Sequence, residues 1–185
     1  MSSQPGWAGR ILAELAVSNK RAERVAGDLT LEQLNWTPAP GSWSIGQCLD
    51  HLRATNEIYA ATIGVSLVGK DLTAVEEIDV PWPSRWFIKN YIAPNPGTRA
   101  QAPGKITPAS RVSPRILEDF LRSNGTAQDL VSRASRYNVN RIRFKNPFIP
   151  LLRFTVGTGL EIISKHESRH LLQAERVRDS RSFPR

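Results

Sequence analysis

The stretch HESRH, residues 166–170, sets two histidines four positions apart with a glutamate directly after the first. On a helix, positions i and i+4 lie one above the other, so His166 and His170 can offer two imidazole nitrogens to one metal ion. The same five residues match HExxH, in which two helical histidines bind zinc and the glutamate serves as general base, which makes Glu167 a candidate catalytic residue. A metalloprotease of that type needs a third ligand downstream. In the longest form of the motif, Gly and His stand where this chain has Gln173 and Arg176, and only fifteen residues follow His170. Glu175 and Asp179 fall on other faces or too far along to close a coordination sphere. No alternating pattern flags a sheet that would hold an extended peptide. The protease match is therefore read as coincidence, and the site as some other metal chemistry.

The third and last histidine of the chain is His51. Stepping about 100° per residue along the final helix, Gly159, Ile163, His166, His170 and Val177 fall within about 60° of one another, at the centre of an apolar stripe. Two imidazoles in such an interface carry polar atoms that need partners, and a shared metal satisfies both. The alternative is a pair of core histidines bonded to backbone or carboxylate. His51 sits roughly 115° from the middle of the stripe Ile45, Leu49, Leu52, Tyr59, on a flank that suits a helix facing two neighbours. Cys48, three residues earlier, is a possible extra ligand or redox-sensitive thiol, although a lone helical cysteine is more often a small buried apolar group.

Four helices would have to position these groups. Ile11, Leu12, Leu15, Ala16 and Val25 give helical spacing over residues 7–27, ending near Gly27. In PAPGSWSIGQCLDHL, Ser44 and Gln47 form a capping box that opens a second helix running to about Gly69. Ser113 and Pro114 open a third, with Ile116, Leu117, Phe120, Leu121, Leu130 and Val131 on its apolar face and Asn124–Gly125 weakening its middle. The fourth spans about Leu152 to Arg178. Residues 70–112 are rich in proline and predict no firm element beyond a short helix around SRWFIKNY; an irregular excursion of this length often covers a site. YNVNRIRFKNPFIP reads as a second irregular stretch, and no sheet is expected. The economical fold is an all-α bundle of four helices, whose core is a place where facing helices converge ligands on a metal.

Whole-chain properties narrow the classes. At 185 residues the chain is expected to form one domain, 1–185, with a sizeable core. One cysteine excludes a disulfide framework and a CxxC zinc site, and points to a reducing, cytoplasmic setting. MSSQPGWAGRILAELAVSNK reads as an amphipathic helix and not as a signal peptide, and no segment is apolar enough to span a bilayer. The formal charge is +8. Residues 99–153 hold eleven lysines and arginines against Glu118, Asp119 and Asp129, so that stretch equals the whole excess. No RNP motif, KH loop, helix-turn-helix or zinc finger accompanies it, so solvated faces are expected rather than a nucleic-acid partner. The tryptophans, among them Trp36, Trp43, Trp82 and Trp86, are expected as packing anchors.

LNWTPAPGSWSIGQCLDHL, with a Trp-Ser-Ile helix start and a histidine seven residues after that serine, followed by KHESRHLLQAERV, resembles the DinB/YfiT-like superfamily in both motifs and their order. The resemblance implies an up-down-down-up four-helix bundle with a metal held by one histidine of the second helix and two of the fourth. By motif these are His51, His166 and His170. It implies a divalent transition metal, with zinc, nickel, iron and cobalt all compatible with three imidazoles. It further implies a metal-dependent enzyme acting on a small molecule, of which a thiol S-transferase using a low-molecular-weight thiol as cosubstrate, held as a metal-bound thiolate, is one form. A homodimer is the usual assembly of similar proteins. The long proline-rich connection between the second and third helices departs from the compact family pattern. Two other readings stay open: a hydrolase using metal-bound water with Glu167 as base, and a non-catalytic bundle stabilised by its metal.

Overall fold

The computed structural model describes residues 5–94 and 102–185. Four long helices dominate: α1 (Gly6–Ala26), α3 (Ile45–Ser66), α5 (Ile116–Ala134) and α6 (Val156–Arg178). Between them lie the short α2 (Leu31–Asn35) and α4 (Trp82–Phe87), the latter running into a π-helical turn over Ile88–Ile92, and a 3₁₀ turn at Gly104–Ile106. The expected short helix around SRWFIKNY thus exists, and α2 is an addition.

Local chemistry explains where the long helices start. At α3, Ser44 Oγ accepts from the Gln47 amide at 3.1 Å while Gln47 Oε1 accepts from the Ser44 amide at 3.0 Å, the reciprocal pair of a capping box. At α6, Thr155 Oγ1 accepts from the Thr158 amide at 3.2 Å. The start of α6 corrects the expected boundary near Leu152. Residues Arg153–Thr155 form strand β2, paired antiparallel with β1 (Arg143–Lys145), and Phe144 faces Phe154 across the pair. Both rings are buried and the basic residues beside them are exposed, so a small hairpin stands where an irregular stretch was expected. Three-residue strands are too short for alternation to register. α5 begins at Ile116; Ser113 Oγ accepts from the Arg115 amide at 3.0 Å in the turn ahead of it.

Each long helix passes through two apolar clusters with a polar layer between them. One cluster takes Ile11 and Leu15 of α1, Ile63 of α3, Val131 of α5 and Leu160 of α6. The other takes Val25, Leu49, Phe120 and Leu171. The buried layer between comprises Ser18, Asn56, Ser123, Asn124 and Glu167. Along the chain, α1 and α6 go from the first cluster to the second, and α3 and α5 from the second to the first. A row of ion pairs joins α1 to α6 in matching order, from Arg10 with Glu161 through Lys165 with Glu14 to Arg21 with Glu175.

Two tryptophans overturn the packing expectation: Trp82 and Trp86 are 71% and 54% exposed. Trp7 is buried, with its indole N–H donating to the Val75 carbonyl at 2.9 Å. Among the described residues no helix is long and apolar enough to cross a membrane.

Candidate metal centre

α3 and α6 bring His51, His166 and His170 together, all three buried, with one potential ligand atom of each within 4.8 Å of the others. The flank position of His51 turns its ring between the two helices. Its Nδ1–H donates to the Ile106 carbonyl at 2.7 Å, because a carbonyl can only accept, and this leaves the Nε2 lone pair free. That nitrogen lies 3.2 Å from His166 Nε2. Two nitrogens held about 2.05 Å from one tetrahedral metal are about 3.3 Å apart, so this spacing fits two ligands of a shared ion. His170 Nδ1 lies 3.0 Å from Gln173 Oε1, an arrangement that again leaves Nε2 as the donor atom. His166 Nδ1 is buried with no partner among the described residues. Buried imidazoles crowded this way fit a metal better than they fit one another.

Electrostatics agree. Burial holds His51 below its ordinary range, with Arg169 adding to the effect against the Ile106 carbonyl and Asp50. His166 is driven well down by burial and then by its two histidine neighbours, and His170 falls to about 3 through burial and then His51, against the bond to Gln173. All three are therefore neutral at pH 7, the protonation state a metal ligand requires.

Three neighbours complete the setting. Trp43 packs its ring against His51 and His170, at centroid distances of 4.8 and 5.5 Å. Arg169 lines the adjoining cavity, and its Nη1 donates to the Tyr91 carbonyl at 3.0 Å, tying α6 to the segment that follows α4. That proline-rich excursion supplies Phe87, Ile92 and Ile106 to the cavity wall, so it covers the site. The cavity measures about 200 Å³.

Glu167 is not brought to this cavity. It points into the polar layer between the two apolar clusters, where its carboxylate accepts from Asn56 Nδ2 at 2.8 Å and Asn124 Nδ2 at 3.0 Å. A base must reach the proton it removes, so this placement argues against the expected catalytic role. Cys48 is likewise fully buried in apolar surroundings, which push its thiol far up, and it does not line the cavity. Sequence analysis assigned no site role to Gln173, Trp43 or Arg169. Gln173 had a signal, since i+3 from His170 is a neighbouring position on the helix.

Four long helices with a buried three-histidine cluster between two of them define a class of helical bundle in which facing helices carry the donor set. The DinB superfamily matches over residues 14–174, and the chain belongs to that superfamily. The chain is also similar to the solved structure of YfiT from Bacillus subtilis, described as a probable metal-dependent hydrolase with an unusual four-helix bundle topology. The TM-score is 0.60 at 14% identity, covering 92% of this chain and 85% of that one, which is a likeness of fold. No curated protein matches the chain.

Proposed function

We propose that the chain is a single-domain, metal-dependent enzyme acting on a small molecule, with His51, His166 and His170 as ligands of one divalent transition metal. The observation that carries this reading is the 3.2 Å approach of two buried, neutral imidazole nitrogens beside a third, at the end of a cavity. The order in which the helices pass the two apolar clusters supports the up-down-down-up topology that goes with such a site. Zinc, nickel and iron all suit the donor set.

A divalent metal there would supply Lewis acidity, lowering the pKa of a coordinated water or thiol. The protein's own residues do the rest. The Ile106 carbonyl and Gln173 fix the rings of His51 and His170 so that their Nε2 atoms face one point. Trp43 shields that point from bulk water, and the positive charge of Arg169 at the cavity wall favours an anionic reactant. A thiol S-transferase is the first reading, because no Asp or Glu lines the cavity among the described residues and a thiolate needs no such base. Hydrolysis is the second; it is favoured by what is written of YfiT, and would proceed without Glu167 as base.

The test is metal content of untagged protein by elemental mass spectrometry, for wild type and for His51→Ala, His166→Ala and His170→Ala. About one metal per chain is expected, with each substitution lowering affinity roughly tenfold or more. Undiminished binding by His51→Ala would refute the site. With metal in place, turnover of an electrophile only in the presence of a small thiol selects the transferase, and turnover without thiol selects the hydrolase.

A further inference from the structure

We propose that the cavity beside the histidines takes a small, mostly apolar molecule bearing one anionic, metal-seeking head group, and that it excludes a polyhydroxylated body. This rests on the metal reading above and adds the class of ligand. On α3, His51, Thr55 and Tyr59 stand at i, i+4 and i+8; on α6, His170, His166 and Ile162 run in the opposite chain sense, and all six line the cavity. The cavity therefore extends from the imidazoles towards Tyr59, a length of about 12 Å at about 1.5 Å per residue. Its walls along that path are largely aromatic and aliphatic, with Phe87, Phe148, Ile106 and Ile162 among them.

Beyond the imidazoles, the side-chain polar groups of Thr55, Asn146 and Tyr59 along the same path are already bonded to the backbone or to one another. Thr55 Oγ1 donates to the His51 carbonyl at 2.7 Å. Asn146 Oδ1 accepts from the Phe148 and Ile149 amides, both at 2.8 Å, and its Nδ2 donates to the Tyr59 hydroxyl at 3.4 Å. A ligand hydroxyl entering here loses its water and finds few replacement bonds, whereas a ring loses nothing. Size points the same way: about 200 Å³ exceeds the roughly 150 Å³ apolar cavity that accommodates benzene, leaving room for a ring and a few further atoms. The head is anionic because Arg169 and the metal both present positive charge to the cavity while no carboxylate lines it among the described residues.

The experiment uses the full chain loaded with cobalt(II), whose visible spectrum reports coordination, together with calorimetric titration. The probes share one chelating head: benzohydroxamate, acetohydroxamate and gluconohydroxamate. Benzohydroxamate is expected to bind at least about tenfold more tightly than acetohydroxamate, from burial of its ring. Gluconohydroxamate is expected to bind no better than acetohydroxamate. Phe148→Ser, in the half-buried loop between the strands, should weaken benzohydroxamate severalfold while leaving cobalt content and acetohydroxamate affinity unchanged. Equal affinities for the phenyl and methyl probes, or tighter binding of the gluconyl probe, on a protein that holds its cobalt would overturn the ligand class and leave the metal reading standing. A protein that takes up no cobalt would overturn both.

Discussion

Glu167 is fully buried, and burial raises its carboxyl from the ordinary range to about 7 against the bonds from Asn56 and Ser18. Between pH 4.5 and 7 the folded protein keeps a proton there that the unfolded chain releases, so this residue lowers stability as pH rises through that window. A carboxyl held near 7 corresponds to a deficit of about 3 kcal/mol above pH 7. Glu167→Gln should remove that slope, and urea unfolding at pH 5 and pH 8 should show a smaller loss on going to pH 8 than wild type shows. An unchanged slope would mean the carboxyl is ionised throughout. The three histidines act with the opposite sign: their folded pKa values lie below 6.5, so metal-free protein loses stability as pH falls from 6.5 towards 3. In Glu167→Gln the acid side should therefore steepen.

The same residue shows what a wheel diagram can and cannot deliver. His166 and His170 were legible because i and i+4 share a face. Glu167 is about 100° from His166 but only about 60° from His170 on that wheel, at the edge of the face the histidines share, and it is the packing of α6 against Asn56 and Asn124 that takes it away from the site. The Ile106 carbonyl that orients His51 had no signal, since the two are 55 residues apart and only the folded excursion joins them.

At the scale of elements, the four long helices follow from apolar spacing and capping chemistry, while the hairpin depends on a packing contact that no periodicity reveals. Phe144 of β1 lies against α6 at Gly159, where an added Cβ would sit 2.7 Å from the Phe144 ring and 2.8 Å from Ile63 Cδ1 of α3. Glycine is thus required here for close approach of three elements. Gly159→Ala should cost about 1–3 kcal/mol by overpacking, despite the better helix propensity of alanine, as read by the denaturation midpoint. A stabilised variant would show that the hairpin moves freely on α6. Because Phe144 also touches Tyr59 at a centroid distance of 6.0 Å, the substitution should weaken aromatic ligands more than it weakens metal binding.

For the whole molecule, charge and metal act at different places. All ten described lysines and arginines between residues 105 and 153 are exposed, and none lines the cavity, so the basic excess solvates the surface and the local field comes from Arg169. A metal, by contrast, would join α3 to α6 through the one region where three buried imidazoles otherwise lower stability in acid. Binding to the folded state alone stabilises by about 2.7 kcal/mol at a free metal concentration a hundredfold above Kd. For a chain of this size about 1 kcal/mol moves Tm by about 2–4 °C, so zinc should raise Tm by roughly 5–10 °C and a chelator should reverse it. The rise should fall by about half or more in His51→Ala and His166→Ala, and it should persist as the pH of the scan falls to 6, since the buried imidazoles of the folded protein are still neutral there. A zinc-induced rise undiminished by either substitution would place the stabilising ion elsewhere, on surface carboxylates, and detach the metal from the α3–α6 junction.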